Sequence, residues 1–381
     1  MANKSFEQQI AVFGESGSGK TVLLSSLYGT LQEATHKEDA FFRFQAVDAA
    51  MHNMLMQTYL GMRDDNAAPL PSAFKSTQHV FTIKPLSEPL KPKNGSKNLR
   101  LTWHDYPGEW FERSALGESE AEDRAKTFKN LLGADVAIFL IDAARLLEYP
   151  GEEERYLKSV FSNFQNSLLE VKDRVIEEGA QLEQFPRIWM IALSKADLLP
   201  EMTVESFQEL VILKAGAEIN ALRQVIADFV GHDDALSVGE DYVLLSSAQF
   251  TPGHIDLQNQ KGIDIILPLA TIFPMERFLK WKELKALPLK LLDKKFAQAA
   301  PMIIEVALAK VLPKLPIFKK FPAAVGFAPL LAELADSALD GLRQARDNAL
   351  ENQDFYSALM AEFMSKLKIA ERDHVFAKSH R

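Results

Sequence analysis

The chain of 381 residues lacks cysteine altogether. This absence excludes a disulfide framework, a thiolate zinc site and a cysteine nucleophile. The chain also lacks any run of about 18 uncharged apolar residues, the length that a membrane-spanning helix requires. Its first residues contain neither a long apolar stretch nor a small-residue cleavage site, so we expect no secretory signal. Together these absences favour a cytoplasmic protein.

The charge balance lacks a basic excess. The chain carries 43 Lys and Arg residues against 52 Asp and Glu residues, which gives a formal net charge of −9. An acidic chain repels phosphate backbones, so we expect no specific nucleic-acid partner. Apolar residues make up 47% and charged residues 25% of the chain, and this composition is typical of a folded globular protein.

Short apolar runs alternate with longer helical patterns through most of the chain. The strand-like runs are residues 9–13, 78–84, 98–104, 136–141, 188–193 and 242–245, and the helical patterns cover residues 21–31, 119–132, 152–178 and 204–230. Continuous apolar runs are typical of strands buried on both faces of a parallel sheet. The second and third runs instead alternate, which predicts one antiparallel pair. We therefore predict an α/β fold with a mostly parallel sheet flanked by helices.

The first predicted strand leads into the segment GESGSGKT at residues 14–21. This segment matches G-x-x-x-x-G-K-S/T between a strand and a helix, which is the context that a phosphate-binding loop requires. Glycines let backbone N–H groups converge on phosphate oxygens, Lys20 reaches the terminal phosphates, and the Thr21 hydroxyl suits Mg²⁺. The nucleotide-binding residues predicted here are Gly14, Glu15, Ser16, Gly17, Ser18, Gly19, Lys20, Thr21 and Val22.

A D-x-x-G turn follows the third strand-like run. Asp105 and Gly108 are its fixed residues. The Asp105 carboxylate is expected to hold Mg²⁺, and the Gly108 N–H to contact the γ-phosphate. The turn would then sense whether that phosphate is present.

The segment after residues 188–193 predicts which base is bound. Ser194, Lys195 and Asp197 stand there. The Asp197 carboxylate can accept hydrogen bonds from the N1–H and the exocyclic amine of guanine, a donor arrangement that adenine lacks. The Lys195 stem would cover the base plane. The alternative is an ordinary strand-end loop with a solvated Lys and Asp.

A second base-binding segment follows residues 242–245. It contains Ser247, Ala248 and Gln249. Small side chains there would let a backbone N–H, that of Ala248, approach the guanine O6. A plain turn after a strand is the alternative for this shorter signal.

Together these motifs resemble the first, third, fourth and fifth nucleotide-binding boxes of the TRAFAC-class P-loop GTPases. The resemblance spans residues 8–250 and implies a Ras-like fold that binds GTP or GDP with Mg²⁺. Ser194 stands where Asn or Thr is usual in that class, which removes a bond between the base loop and the phosphate loop. The segment DYPGEW at residues 105–110 looks like the switch region of the YcjX-like stress-associated GTPases and implies a stress-related role.

The same resemblance places a switch threonine just before residues 78–84, where Thr77 stands with Ser76 as its rival. Thr77 would complete the Mg²⁺ site, with Thr21 and Asp105, and position the attacking water. Glu109 takes the place where Gln usually positions that water. Because a carboxylate repels the γ-phosphate, we expect slow intrinsic hydrolysis. The predicted catalytic residues are Lys20, Thr77, Gly108 and Glu109.

Two features around the switch leave alternatives open. No arginine is placed as a finger within the chain, so we expect a protein partner or a second protomer to supply the missing cation. Trp110 and Phe111 directly follow Glu109. These two aromatic residues either become exposed in one nucleotide state or simply pack the loop onto the core.

The motifs divide the chain into two predicted domains. These are a P-loop GTPase domain at residues 1–272, with insertions at 32–72 and 146–185, and a C-terminal helical domain at residues 273–381. The first insertion includes a possible strand at 41–47 and a possible helix at 49–62. Residues 371–381 are expected to be a frayed tail.

The predicted helical domain begins with a basic stretch. Residues 276–320 contain eleven Lys and Arg residues against four Asp and Glu residues. With their apolar neighbours, residues 276–333 fit a basic amphipathic surface at an anionic membrane, which would make the protein peripheral to the inner membrane face. They also fit a helical domain whose lysines are solvated, which is the interpretation that we favour.

The sequence therefore predicts a GTP-binding switch protein that hydrolyses GTP slowly with Mg²⁺. Its nucleotide state would reshape the loops around residues 72–80 and 106–118 for a partner. The first alternative is an ATPase. The second is an adaptor that holds nucleotide without turnover at a membrane surface or on a partner.

Overall fold

The structure of the chain is a computed structural model. It describes residues 6–67, 77–87, 90, 99–111, 115–148, 150–176, 188–230, 239–273 and 337–379. Predictions that concern other residues, among them Ser76 and the basic stretch 276–333, lie outside the described residues.

The centre of the structure is an eight-stranded sheet with the order β10-β7-β6-β5-β1-β4-β3-β2. Its strands are β1 Phe6–Phe13, β2 Phe42–Ala46, β3 Thr77–Pro85, β4 Leu99–Asp105, β5 Val136–Asp142, β6 Ile188–Ser194, β7 Asp241–Leu244 and β10 Phe376–Ala377; β8 Gln249–Thr251 and β9 His254–Asp256 form a separate hairpin. Strands β4, β1, β5, β6 and β7 are mutually parallel. Strands β2 and β3 extend one edge in antiparallel pairing, and β10 does so at the other.

This topology confirms the predicted mostly parallel α/β fold, including the antiparallel pair formed by β3 and β4. All seven residues of β5 and all seven of β6 are buried. Helices cover both faces of these central strands, which explains why both read as continuous apolar runs in the sequence.

Nine α-helices surround the sheet in the described part of the chain. They are α1 Lys20–Ala34, α2 Ala49–Asp65, α3 Glu118–Leu132, α4 Ala143–Glu148, α5 Glu153–Val175, α6 Val204–Val230, α7 Ile266–Thr271, α8 Leu339–Glu351 and α9 Phe355–Arg372. None of the helices that the structure describes is long and apolar enough to cross a membrane.

The two faces of the sheet carry separate apolar layers. Along β1, Ile10 and Val12 belong to the layer that contains side chains of α1, α7 and α9. Ala11 and Phe13 belong to the opposite layer, with side chains of α3, α5 and α6. Because successive strand residues point to opposite faces, β1 contributes side chains to both layers. The loop that follows β1 therefore starts from a strand that is packed on both sides.

The predicted first insertion contains the expected strand and helix, as β2 and α2. Strand β2 extends the sheet beside β3, and α2 packs mainly on α1. Within the predicted second insertion, α5 buries Phe161 and Phe164 against the sheet and so forms part of a regular helical layer.

The end of the chain differs from the prediction. Residues 371–381 were expected to fray, but Phe376–Ala377 forms β10, which pairs with β7. The Val204 N–H donates to the His374 carbonyl, and the Ser379 N–H donates to the Asp241 carboxylate. Buried Phe376 explains why: its ring contacts Phe273 at a centroid distance of 5.4 Å.

The predicted division at residue 272 remains a prediction. The described residues 337–379 do form two helices, but their buried side chains join the same apolar layer as β1. In the described part of the chain, α8, α9 and the sheet therefore share one core.

The contact between α1 and α2 is testable through Gly29, which lies on α1. An added Cβ there would lie 2.1 Å from the Tyr59 ring of α2. We expect Gly29→Ala to destabilise the protein by about 1–3 kcal/mol, because the ring or the helix must shift. Chemical denaturation measures this change. Gly341→Ala is the matched control: Gly341 is an exposed helix residue on α8, whose added Cβ would come no closer than 3.6 Å to a neighbour. Equal stability of both variants would contradict the close α1–α2 contact.

Candidate nucleotide site

The loop between β1 and α1 turns through two glycines with left-handed backbone. Gly17 has φ 78° and Gly19 has φ 90°, and Gly19 caps the N-terminus of α1. Residues with a Cβ rarely adopt these values, so glycine is needed at both positions. The loop thus presents its backbone N–H groups beside a helix N-terminus, which is the arrangement that binds phosphate.

Lys20 closes this loop through its side chain. The ammonium donates to the carbonyls of Gly14 and Glu15, each at 2.9 Å, and approaches the Ser18 hydroxyl at 3.4 Å. The side chain is nearly buried. A cation is therefore held over the loop, where phosphate oxygens of a nucleotide would find it.

Asp105 lies beside this lysine at the end of β4, opposite Val12 of β1. Burial raises the pKa of its carboxyl group to about 6, although the Lys20 charge, the Tyr106 N–H and the Thr21 hydroxyl all lower it. Its Oδ1 atom is buried without a hydrogen-bond partner. A carboxylate oxygen of this kind next to a threonine hydroxyl fits a Mg²⁺ ion, which prefers oxygen ligands.

Thr77 is the first residue of β3 and lies directly opposite Asp105 in the antiparallel register. The strands therefore bring its backbone to the same edge as the predicted metal ligands. Ser76 lies outside the described residues, so the choice between these two switch residues stays a prediction.

Gly108 and Glu109 lie against the phosphate loop in a short 3₁₀ helix, Gly108–Phe111. A Cβ on Gly108 would lie 2.2 Å from the Ser16 N atom, so only glycine allows this approach. The Ser16 hydroxyl donates to Glu109 Oε1 at 3.2 Å. The carboxylate that the sequence placed near the γ-phosphate is therefore tied to the loop itself.

Trp110 is packed rather than exposed in this structure. Its ring lies 5.7 Å from the Arg124 guanidinium of α3. Its carbonyl accepts hydrogen bonds from Arg124 at 3.4 Å and from the Ser167 hydroxyl of α5 at 3.3 Å. Arg124 is itself buried and paired with Glu120 at 2.8 Å. Trp110, two residues after the D-x-x-G turn, is thus held by two helices.

The segment after β6 is positioned by side-chain contacts. Lys195 adopts a left-handed backbone with φ 54°, and its ammonium pairs with Asp142 at 2.7 Å, at the end of β5. The Ser194 hydroxyl donates to the Ile141 carbonyl at 3.2 Å. The base loop is therefore fastened to β5, and the lysine stem is held beside the loop.

Asp197 is aligned by two donors. The Ser246 hydroxyl donates to Oδ1 at 2.7 Å, and the Phe250 N–H donates to Oδ2 at 3.2 Å. Each carboxylate oxygen has a further lone pair, so the group can still accept hydrogen bonds from a base.

A cavity of about 300 Å³ joins the phosphate loop to Asp197. Its lining includes residues from both predicted regions: Gly17, Ser18, Gly19, Val22, Ser194, Lys195, Asp197 and Ser247. Ala248 is fully buried beside it, whereas Gln249 begins β8 with an exposed side chain that accepts from Asn259 at 2.7 Å. The structure therefore brings the predicted base residues together except for the Gln249 side chain.

A larger cavity of about 930 Å³ lies between α6, α9 and the β7–β10 edge. Its described lining contains none of the predicted nucleotide residues. We take the smaller cavity as the candidate site, because it joins the phosphate loop to an aligned carboxylate, whereas volume alone specifies no chemistry.

Sequence reasoning missed three residues of the site. Asp142 holds Lys195, Ser246 and Phe250 hold Asp197, and Phe250 also lines the cavity. Asp142 had a signal, since it ends an apolar strand at the same sheet edge as Asp105 and Ser194. Phe250 had no sequence signal, because it contacts Asp197 through its backbone N–H, which the β8–β9 hairpin positions.

The chain is similar to a known protein family and to solved structures. The family model Double-GTPase 2 matches residues 8–234. No curated protein matches the chain. Among solved structures, the chain is similar to Roco2 RocCORdC of Methanosarcina barkeri bound to GDP, with 12% identity and a TM-score of 0.27, over 81% of this chain and 56% of that chain.

A second solved structure is the SRb-GTP/SRX complex of the signal recognition particle receptor from Chaetomium thermophilum. It is 19% identical, with a TM-score of 0.34, over 65% of this chain and 93% of that chain. The family match covers the phosphate loop, the D-x-x-G turn and Asp197, and it confirms the predicted kinship with YcjX-like P-loop GTPases. It supports a GTP-binding protein and a nucleotide hydrolase. The chain belongs to the Double-GTPase 2 family, whose model matches more than half of its length.

Proposed function

We propose that this protein is a guanine-nucleotide switch that hydrolyses GTP slowly with Mg²⁺. The observation that carries the proposal is the cavity that joins the phosphate loop to the aligned Asp197 carboxylate. One end of this cavity is suited to phosphates and the other to a base with two adjacent donors.

The phosphates would replace the carbonyl partners of Lys20. In this structure the ammonium is bound by Gly14 and Glu15 carbonyls, which carry only partial charge. A full negative charge on a phosphate oxygen attracts the ammonium more strongly than the partial charge of a carbonyl oxygen at the same distance. Nucleotide binding therefore gains from a cation that is already in place.

Mg²⁺ would be held by the Thr21 hydroxyl and the Asp105 carboxylate, with Thr77 as the third ligand. The buried, unpartnered Oδ1 of Asp105 supports this assignment. The ion, when bound, would neutralise charge on the phosphates. Ionised Asp105 is disfavoured by its burial, so a cation would also relieve the cost of that charge.

The guanine base would be read by Asp197. Its two oxygens are fixed by Ser246 and by the Phe250 N–H, so little conformational freedom is lost when a base binds. The Lys195 stem would cover the base, and its ammonium is held by Asp142. Adenine offers no matching pair of donors, which gives the discrimination.

Slow hydrolysis follows from Glu109. Its carboxylate is bound by Ser16 of the phosphate loop, so a negative charge would stand near the γ-phosphate. Like charges repel strongly in a partly buried site. A protein partner or a second protomer that supplied a cation would relieve this repulsion. Gly108 and Trp110 would change position with the nucleotide state, and the partner would recognise that change.

The guanine assignment is tested by Asp197→Ala. We expect affinity for fluorescent GDP to fall at least about a hundredfold, because two charge-assisted hydrogen bonds are lost, while the weaker affinity for ADP stays unchanged. Equilibrium titration measures both. Asp123→Ala, an exposed change on α3, should alter neither. Equal affinity of the wild type for GDP and ADP would favour the ATPase alternative and remove the guanine assignment.

The role of Glu109 is tested by Glu109→Gln. Removing the charge should raise single-turnover GTP hydrolysis about tenfold, which corresponds to about 1.4 kcal/mol of barrier. The matched control is Glu122→Gln, an exposed change on α3, which should leave the rate unchanged. An unchanged or slower rate in Glu109→Gln would contradict a repulsive role for this carboxylate. No turnover in any variant would instead favour the nucleotide-holding adaptor.

Movement of the switch is tested through Trp110 fluorescence. We expect emission to differ between the GDP-bound protein and the protein bound to a non-hydrolysable GTP analogue, because Trp110 would leave the Arg124 guanidinium. Trp110→Phe should abolish most of the difference, whereas Trp189→Phe, a change in the buried core beside Phe164, should preserve it. Identical spectra in the two nucleotide states would show that Trp110 stays packed.

A further inference from the structure

Helix α2 belongs to the inserted segment, yet it packs next to the base-binding loop. A third apolar cluster consists of Tyr59 and Met62 of α2 with Ala248, Ile255 and Leu257. Phe250 and Val22, which both line the nucleotide cavity, pack against its rim. The β8–β9 hairpin, which carries Phe250 and Ile255, thus rests on α2 rather than on the main sheet.

A hydrogen bond fixes the same contact. Asn66 ends α2 with a left-handed backbone, φ 50°, and its side-chain Oδ1 accepts from the Ile255 N–H of β9 at 2.8 Å. Asparagine adopts this backbone more readily than other side-chain-bearing residues. One residue therefore both ends the helix and holds the hairpin.

A second set of contacts fastens α2 to α1 and the loop. The Tyr59 ring of α2 packs against α1 at Gly29, where the absence of a side chain leaves room for it. The Tyr59 hydroxyl is hydrogen-bonded to the side chains of Glu33 and Thr30. Burial, and then the neighbouring Glu33 carboxylate, raise the pKa of Tyr59 to about 12. Thr30 bonds Gln260, whose amide donates to the Ser247 carbonyl at 3.1 Å.

The hairpin in turn holds the group that would read the base. The Phe250 N–H of β8 donates to Asp197 Oδ2. A chain of contacts therefore runs from α2 through Ile255 and Phe250 to the carboxylate. If α2 releases the hairpin, Asp197 loses one of its two aligning donors.

We infer that α2 supports the base-binding loop that contains Asp197. Asn66 is a positioning residue, which sets guanine selectivity and the nucleotide dissociation rate. The inference rests on the proposed guanine-binding function. It assigns to the insertion a part in nucleotide retention that the phosphate loop and Asp197 alone do not provide.

The test compares two substitutions at one position. Asn66→Gly keeps the left-handed backbone but removes the acceptor, whereas Asn66→Asp keeps an acceptor oxygen. We expect Asn66→Gly to release a fluorescent GDP about three- to tenfold faster, the worth of one hydrogen bond, and Asn66→Asp to stay within about twofold of the wild type. Gln57→Ala, an exposed change on α2, is the control and should not alter release. Stopped-flow displacement by excess GDP gives the rates.

A second readout separates positioning from general loosening. Inosine lacks the exocyclic amine of guanine, so the GDP-to-IDP affinity ratio reports how well the Asp197 carboxylate is aligned. We expect this ratio to fall in Asn66→Gly and to recover in Asn66→Asp. Met62→Ala, which removes a fully buried side chain of the cluster, should lower the ratio further, and its thermal unfolding confirms that it is folded.

The outcomes distinguish this inference from the function on which it rests. A wild type that shows no preference for GDP over IDP or ADP would overturn the proposed function. If the wild type is selective but Asn66→Gly and Met62→Ala change neither the release rate nor the GDP-to-IDP ratio, the supporting role of α2 is overturned and the proposed function stands. Faster release of GDP and IDP by the same factor would also overturn that supporting role, because a misaligned carboxylate must weaken GDP more.

Discussion

The candidate site depends on one constraint: parallel strands end at the same edge of the sheet. Strands β1, β4, β5 and β6 are parallel neighbours, so the phosphate loop, Asp105, Asp142 and Ser194 emerge side by side. Ligands of open α/β sheets bind in the crevice outside these carboxyl ends. The strands are buried on both faces and cannot shift independently, which keeps groups far apart in sequence at fixed spacing.

Charge at this edge is balanced locally. Lys20 lies beside Asp105, whose burial disfavours the ionised carboxylate, and Lys195 pairs with the buried Asp142. The lysine over the loop attracts phosphate, and the unpartnered oxygen of Asp105 attracts a cation. Glu109 adds a negative charge that Ser16 holds at the loop. The same loop therefore favours nucleotide binding and, in our proposal, slows the chemistry that follows.

The sequence predicted the parts of the fold that have local or periodic signals. Buried strands such as β5 and β6 are recognisable in the sequence as continuous apolar runs. The glycines of the phosphate loop indicate a left-handed backbone, which only glycine adopts easily. The strand β10 was missed because two residues carry no periodicity, and its place depends on Phe376 packing against Phe273. The contacts of Asn66 and Phe250 were missed for a related reason, since a tertiary hairpin brings them to the site. Helix α2, which sequence reasoning treated only as part of an insertion, packs beside the base loop through Tyr59 and Met62.

Guanine recognition by an aligned carboxylate is the central claim, and isothermal titration of the wild-type protein with GDP and ADP in Mg²⁺ buffer tests it most directly. Two hydrogen bonds to an ionised group predict that GDP binds at least about a hundredfold more tightly than ADP, at one site per chain. Equal affinities, or no binding of GDP, would contradict the account.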